Sequence, residues 1–299
     1  MTLYSHSESN IRKTWLLITV FLIFIIALGW LFSYIFNSPT ILIIAVVFSV
    51  LTSIGSYWYS DKVVLRMTRA QAIKKSDYPE LYRVVENLAI TAGLATPKIY
   101  VLKERQPNAF ATGRDEKHAV VVVTEGLLDK LERAELEGVI AHELSHIKNK
   151  DMLLQTIAVV LAGTIAIASN IFLRMSIFGG RGSSKKEGGG ALLMILGLAA
   201  AILAPIAASM IKLAISRKRE FLADASGALL TRYPEGLARA LEKISADSSS
   251  IKYGASNSTA HLFIANPFKG KEKKNWFTRL FMTHPPVEER VKALRKMSI

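Results

Sequence analysis

Uncharged, apolar residues fill two long stretches near the start of the chain. From Thr14 to Ser60 there are 47 consecutive residues without Asp, Glu, Lys or Arg, interrupted near the middle by Asn37-Ser38-Pro39. The two halves, Trp15–Phe36 and Pro39–Tyr59, contain 22 and 21 residues. Each is long enough to cross a hydrocarbon core of about 30 Å as a helix, so the pattern predicts a transmembrane hairpin. A cleaved signal peptide is the alternative, but its apolar region should run only about 7 to 15 residues and end at a small-residue cleavage site, and neither condition is met.

Two further apolar runs lie in the second half of the chain. Met152–Leu173 contains 22 residues without a charge, and Ala191–Ile211 contains 21 and includes Pro205, which membrane helices tolerate. Both runs are rich in Ala and Gly, so a second membrane hairpin and a hairpin buried inside the protein both remain open. The segment between them, GGRGSSKKEGGG at 179–190, has the composition of a solvated linker.

These runs predict four parts: an N-terminal transmembrane hairpin (1–60), a first extramembrane part (61–151), a second apolar hairpin (152–211) and a second extramembrane part (212–299). Within 61–151 the pattern favours an α+β arrangement. A polar helix is expected around Tyr78–Gly93, strands at Lys98–Leu102 and His118–Thr124, and a third short strand within PNAFATG at 107–113. After Thr124 the apolar residues recur at helical spacing, which predicts a helix through residue 147.

The charge of the chain favours a membrane surface as its surroundings. Lys and Arg number 38 against 24 Asp and Glu, a net charge of +14, and the basic residues crowd beside the apolar runs. The positive-inside tendency then places both ends of the first hairpin and the bulk of the chain in the cytoplasm. The basic linker at 179–190 argues against the same arrangement for the second hairpin, because it would lie outside if both later runs cross the membrane. No motif supports nucleic-acid binding, and anionic lipid head groups account for the charge.

The motif AHELSHIKNKD, residues 141–151, carries candidate metal chemistry. Four residues advance 400° on an α-helix, so His142 and His146 project from one face and can bind the same ion, with Glu143 beside them. A chance H-E-x-x-H in a chain of this length is on the order of a one-in-a-hundred event, so alone it is suggestive. Because cysteine is absent, a zinc site here must use nitrogen and oxygen ligands.

A third ligand is expected from a second element, since catalytic zinc usually takes three protein ligands and leaves a fourth position for water. The segment RKREFLADASGA, residues 217–228, offers Glu220, with Asp224 one helical turn later. That spacing lets Glu220 bind the metal while Asp224 reaches the free nitrogen of a ligand histidine and fixes its tautomer. The alternative is a surface carboxylate paired with Arg217 or Arg219.

Several motifs together resemble the HtpX family of bacterial membrane-integrated zinc metalloproteases, which is related to the CAAX prenyl proteases. The resemblance rests on HELSH, on the E-x-x-x-D of 220–224, on NAFATG (108–113) and on THPPVEER (283–290), behind an N-terminal transmembrane hairpin. It covers nearly the whole chain in matching order, and is least secure at 245–275. It implies a predominantly helical α+β fold with four apolar membrane helices and a zincin-type catalytic domain carrying a small sheet.

The resemblance also implies an activity: cleavage, on the cytoplasmic side of the bacterial inner membrane, of damaged or misfolded membrane proteins. One Zn2+ per chain would be bound by His142, His146 and Glu220, with Glu143 as the catalytic base. His284 would face the developing oxyanion, oriented by Arg290. A turn residue before Pro285-Pro286 is an equally good interpretation of His284.

Substrate placement is predicted at an exposed sheet edge formed by Asn108–Thr112. An extended peptide could pair with the backbone there. The candidate substrate-binding residues are Asn108, Ala109, Phe110 and Ala111. Because His146 and Glu220 must meet at one ion, the intervening chain crosses the membrane an even number of times, and unbroken helices would hold the metal about 9 to 14 Å from the membrane boundary.

Two other functions are less consistent with the sequence than a protease. A membrane scaffold or holdase with a structural metal would have no use for a free carboxylate such as Glu143 beside two ligands. A transporter is disfavoured because none of the four apolar runs carries an ionisable side chain to mark a pathway.

Overall fold

The computed structural model describes residues 3–178, 216–247, 249, 264 and 285–298, together with isolated positions between 195 and 210. It begins with two long antiparallel helices, α1 (Leu3–Ile35) and α2 (Pro39–Thr68). Asn37 adopts a positive φ of 48° in the turn, and Pro39 stands in the first turn of α2, where its missing N–H costs no hydrogen bond. Both helices extend beyond the apolar runs into the polar flanks.

The third long helix, α6 (Asp151–Phe178), packs against both of them. Leu17 and Phe21 of α1 are buried in one apolar cluster with Leu154 and Ile157 of α6. The described residues contain three helices long and apolar enough to span a membrane, Glu8–Ile35, Pro39–Thr68 and Asp151–Arg174, and half of the apolar window of the last is buried inside the protein. The helix α6 is therefore long enough to span and also forms part of the core. The fourth predicted run, 191–211, lies largely outside the described residues.

A four-stranded sheet has the order β1-β2-β4-β3, with β1 (Gln71–Ala72), β2 (Lys98–Leu102), β3 (Ala109–Thr112) and β4 (Val120–Thr124). The strands β2 and β4 are parallel, with Lys98 opposite Val120, and the other two pairs are antiparallel. The predicted strands are present, including the short third one. The strand β4 begins two residues later than predicted because Asp115 caps a short 3-10 helix, Glu116–His118. The strand β1 was not predicted, since two exposed residues carry no alternating pattern.

Besides the two N-terminal helices, the described residues form seven α-helices: α3 (Pro79–Ala92), α4 (Glu125–Lys130), α5 (Arg133–Lys148), the long helix α6, α7 (Arg217–Thr231), α8 (Pro234–Ala246) and α9 (Val287–Arg295). The helix α5 is the centre of the extramembrane part, because α3, α7, α8 and β3 all contact it. The helices α5 and α8 approach each other closely at Gly138 of α5, where a Cβ atom would come within 2.7 Å of the backbone nitrogen of Leu237. The protein is thus mostly helical with a small mixed sheet.

The helix that carries the HELSH motif does not run unbroken into the third apolar helix. The helix α5 ends at Lys148, Lys150 takes a left-handed φ of 55°, and α6 starts at Asp151. The distance from the membrane boundary that unbroken helices would give therefore does not apply. The break also brings Asp151 back toward the helix it follows.

Candidate metal centre

The two histidines face one another from consecutive turns of α5. His142 and His146 are 3% and 5% exposed, and their Nε2 atoms are 3.2 Å apart. The imidazole rings are almost perpendicular, at 89°, with centroids 4.7 Å apart. The helix is thus buried on the face that carries both rings, and both Nε2 atoms point into one small polar space.

Glu220 completes this cluster from α7. Its carboxylate oxygens lie 3.9 Å from Nε2 of His142 and 3.6 Å from Nε2 of His146, and the residue is 1% exposed. Close packing of α7 on α5 makes this possible, since a Cβ atom at Gly227 would come within 2.9 Å of the backbone nitrogen of His142. The alternative of a surface carboxylate is wrong for Glu220, because its side chain is buried beside both histidines.

Each histidine has a carboxylate at its second ring nitrogen. Nδ1 of His142 lies 2.9 Å from Oδ1 of Asp224, and Nδ1 of His146 lies 3.1 Å from Oδ2 of Asp151. A carboxylate there favours the tautomer with hydrogen on Nδ1 and a lone pair on Nε2. With both rings in that tautomer, two lone pairs would face each other at 3.2 Å and repel, so either a proton or a metal ion must lie between them.

The donor set fits a metal ion. One ligand atom from each of His142, His146 and Glu220 lies within 4.8 Å of the others. Zinc binds imidazole nitrogen at about 2.0 to 2.1 Å, so tetrahedral neighbours are about 3.3 Å apart, close to the separation of the two Nε2 atoms. Two imidazoles and a carboxylate leave room for a fourth ligand, which is the arrangement of catalytic rather than structural zinc.

The electrostatics of the cluster favour a cation. Burial lowers the pKa of His146, but the hydrogen bond to Asp151 and the negative charges of Glu220, Asp151 and Glu143 outweigh it and raise the pKa to about 9. These carboxylates therefore create a site of negative potential at the ring. Glu143, 5% exposed, follows His142 directly, and its charge also acts on Arg290. Glu143 therefore adds to the negative charge that raises the pKa of His146.

Arg290 on α9 is the buried counterion of the cluster. Its guanidinium donates from Nε and Nη2 to the two oxygens of Asp224, at 2.8 and 2.6 Å, and Nη1 lies 3.8 Å from Glu220. Burial raises the pKa of the Asp224 carboxyl, but the charge and hydrogen bonds of Arg290, with His142, hold the pKa near 2. The predicted partner of Arg290, His284, lies outside the described residues. Within the described part of the chain, Arg290 orients Asp224 instead, because Asp224 offers a bidentate acceptor.

Replacing Arg290 by Met should destabilise the protein by about 3 to 5 kcal/mol, because it leaves the carboxylates of Asp224 and Glu220 buried without their cation. The measurement is denaturant unfolding in detergent with a chelator present. Arg295→Met is the control on the same helix, since Arg295 also pairs with two carboxylates, Glu235 and Glu242, but is 45% exposed. Solvent screens that pair, so a much smaller loss is expected there. Equal losses in the two variants would contradict this account of the buried pair.

The predicted substrate strand lies at the edge of the sheet but is not exposed. The side chains of β3 are all buried, because α5 and α6 pack against the strand. Asn108 is 1% exposed, and its Oδ1 accepts a hydrogen bond from the backbone N–H of Ile264 at 2.8 Å. The carbonyl of Asn108 accepts from the N–H of Thr124. By antiparallel alternation, the backbone groups of Ala109 and Ala111 point away from β4, toward an edge that no described strand occupies, although both residues are buried.

Sequence reasoning missed the partners of His146. Asp151, the last residue before an apolar run, is fully buried and faces the imidazole, which the sequence pattern does not predict. The contact between Asn10 and Arg219, both buried, is likewise not predicted by the pattern. The signal for these residues lay in their positions in the sequence. Asp151 comes five residues after His146, directly before a long apolar run, and Arg219 directly precedes Glu220.

A buried cluster of two histidines and a glutamate, set in a mostly helical protein with membrane-length helices, defines a membrane-embedded metalloprotease. The family comparison agrees: the model of peptidase family M48 matches residues 75–298. The chain belongs to peptidase family M48, which confirms the predicted resemblance.

Relatives of similar length carry one name. A "Protease HtpX homolog" of Thermoanaerobacter pseudethanolicus is 45% identical over 100% of this chain and 99% of its own length. Another of Syntrophobacter fumaroxidans is 49% identical over 86% of this chain and 89% of its own. Among solved structures, Ste24p of S. mikatae is similar with a TM-score of 0.49 and 18% identity, covering 97% of this chain and 67% of that one. The peptidase family and the HtpX homologues identify the chain as an integral membrane metalloendopeptidase.

Proposed function

We propose that the protein is a zinc-dependent endopeptidase that cleaves damaged or misfolded membrane proteins from the cytoplasmic side of the bacterial inner membrane. The observation that supports zinc most directly is the facing pair of Nε2 atoms, 3.2 Å apart, beside the Glu220 carboxylate. His142, His146 and Glu220 would hold the ion. When bound, zinc polarises the scissile carbonyl and lowers the pKa of a bound water toward about 7.

Glu143 is the proposed general base. It would accept a proton from the attacking water and deliver it to the leaving amine, so a single carboxylate serves both halves of the reaction. Asp224 and Asp151 would hold the two imidazoles in the metal-binding tautomer, and Arg290 would keep Asp224 ionised. His284 remains our candidate for stabilising the developing oxyanion.

The test is metal content together with cleavage of unfolded casein by the full chain in detergent. Chelation should abolish cleavage, and one equivalent of Zn2+ should restore it. Cleavage that persists after complete metal removal would refute the zinc mechanism. A parallel titration with Mn2+ and Co2+ identifies the metal, since imidazole and carboxylate ligands suit several ions.

Membrane position is tested separately by labelling single cysteines, which is simple because the chain has none. Ser38→Cys, in the turn between α1 and α2, should react with an impermeant reagent in intact cells. If the second hairpin also crosses, Ser184→Cys should react in the same way. Reaction at position 38 only after the cells are opened would contradict the proposed cytoplasmic catalytic side.

Ala111→Pro tests the proposal that a substrate backbone pairs with the outer edge of β3, which no described strand occupies. Proline removes an N–H that points away from β4, so the sheet itself keeps its hydrogen bonds. Casein cleavage at low substrate concentration should fall about 10-fold, the loss expected for one backbone hydrogen bond to substrate, while zinc content stays unchanged. Ala111→Ser, which retains the N–H at nearly the same volume, is the control. If the proline variant is folded and cleaves at the wild-type rate, the strand does not bind substrate.

A further inference from the structure

A buried polar network joins the first apolar helix to the histidine pair. Asn10 on α1 is 2% exposed, and its Nδ2 donates to Oδ1 of Asp151 at 2.6 Å and to the carbonyl of Asn149 at 3.1 Å. Its Oδ1 accepts from Nη1 of Arg219 at 2.8 Å. One amide side chain therefore ties α1 to the α5–α6 junction and to the first turn of α7.

The chemistry of these partners fixes the orientation of the amide. A carboxylate and a carbonyl only accept hydrogen bonds, and a guanidinium only donates, so the NH2 group of Asn10 must face Asp151 and its oxygen must face Arg219. The rotated amide would place its oxygen against two acceptors in a buried site, where unpaired polar atoms are costly. The network consequently has a single satisfied arrangement.

This arrangement orients the part of the metal cluster on α5, through Asp151, and the part on α7, through Arg219. Because Asn10 holds Oδ1 of Asp151, the carboxylate is turned so that Oδ2 lies 3.1 Å from Nδ1 of His146. Arg219, whose Nε is 3.6 Å from Oδ1 of Asp151, directly precedes Glu220 in the chain. The same amide thus contacts the carboxylate behind one histidine ligand and the residue beside the carboxylate ligand.

We infer that Asn10 is a positioning residue for the metal centre, acting through Asp151 and Arg219, so that metal affinity depends on the first apolar helix. The inference rests on the proposed zinc site. It gives α1 a role in catalysis besides anchoring the protein in the bilayer.

The test is the dissociation constant for Zn2+, measured by competition with a chelator on the full chain in detergent. Asn10→Ala and Asp151→Ala should each weaken zinc binding about 10- to 100-fold, the range for residues that orient metal ligands. Thr14→Ala is the matched control: Thr14 is one turn further along α1 and 1% exposed, and among the described residues its hydroxyl donates to the carbonyl of Asn10 within the same helix and not to the α5–α6 junction or to α7. The control should bind zinc as wild type does.

The double variant separates positioning from general loss of stability. Because Asn10 acts partly through Asp151, Asn10→Ala combined with Asp151→Ala should weaken zinc binding by clearly less than the product of the two single losses, whereas independent effects would multiply. Unfolding of each chelated variant verifies the fold, and Asn10→Ser, which keeps one hydrogen-bonding group, replaces Asn10→Ala if that variant unfolds.

Unchanged zinc affinity in Asn10→Ala, or multiplied losses in the double variant, would overturn the inference. These outcomes are distinct from failure of the proposed function, in which the wild-type chain itself would not bind zinc.

Discussion

Glu143→Gln should lower the rate of casein cleavage about 10²- to 10⁴-fold while zinc remains bound at one ion per chain. The expected loss is the usual contribution of a positioned general acid–base group. Glutamine has nearly the same shape but cannot accept the proton of the attacking water, so ground-state binding should change little. The measurement pairs metal analysis with cleavage rates at low substrate concentration, on the same purified sample.

A second glutamate on the same helix provides the control. Glu137 lies on α5 outside the histidine cluster, is partly exposed, and pairs with Arg133 at 3.1 Å. Glu137→Gln removes the same charge from the same helix and should leave cleavage unchanged. Because residual cleavage by contaminating proteases can mask a large loss, the Glu143→Gln sample must also be assayed after chelation.

The result discriminates between the protease and a scaffold with a structural metal. In a closed structural site, a free carboxylate next to two ligands has no chemical task, and its replacement should leave client binding intact. Loss of both zinc and activity in Glu143→Gln would indicate a role in metal binding or stability rather than proton transfer. Retained activity would remove Glu143 from the mechanism.

Local signals predicted the elements of the extramembrane part because their residues have strong patterns. The strand β2 matches its predicted bounds, Lys98–Leu102, and α3 falls within its predicted region because Pro79 begins it and Gly93, at a φ of 70°, ends it. The pairing of β2 with β4 could not be predicted in the same way. Both strands are short apolar runs, and their register is set by packing against helices that are distant in sequence.

The metal cluster was predictable only in so far as its residues lie on regular helices. Helical spacing alone brings His142 to the same face as His146, and Glu220 to the same face as Asp224. The contacts between helices required the fold: the bidentate pair of Arg290 with Asp224, and the approach of Asp151 to His146 after the chain reverses at Lys150. Spacing within α7 did predict that Asp224 approaches a ligand histidine, as it does at 2.9 Å from His142, but it did not indicate the partners contributed by α6 and α9.

Glu220→Gln should weaken zinc binding by at least about 100-fold and abolish casein cleavage. The magnitude follows from the free energy of zinc binding in four-ligand sites, about 10 to 16 kcal/mol, which is roughly 3 kcal/mol for each ligand. The amide keeps the size of the side chain but is neutral and a poor zinc ligand. The substitution also removes a negative charge near Arg290. Among the described residues, Asp224 is then the only close carboxylate partner of Arg290.

The matched control is Glu135→Gln, at another buried glutamate, 2% exposed, which pairs with Lys243 at 2.8 Å and caps α5. That variant should lose stability but bind zinc as wild type does. If Glu220 served only as a structural ion-pair partner, the two variants would behave alike, with lowered unfolding temperature and intact zinc affinity. A selective loss of zinc in Glu220→Gln therefore identifies this carboxylate as the third ligand, because the control neutralises a similarly buried glutamate that pairs with Lys243 instead of lying beside the two imidazoles.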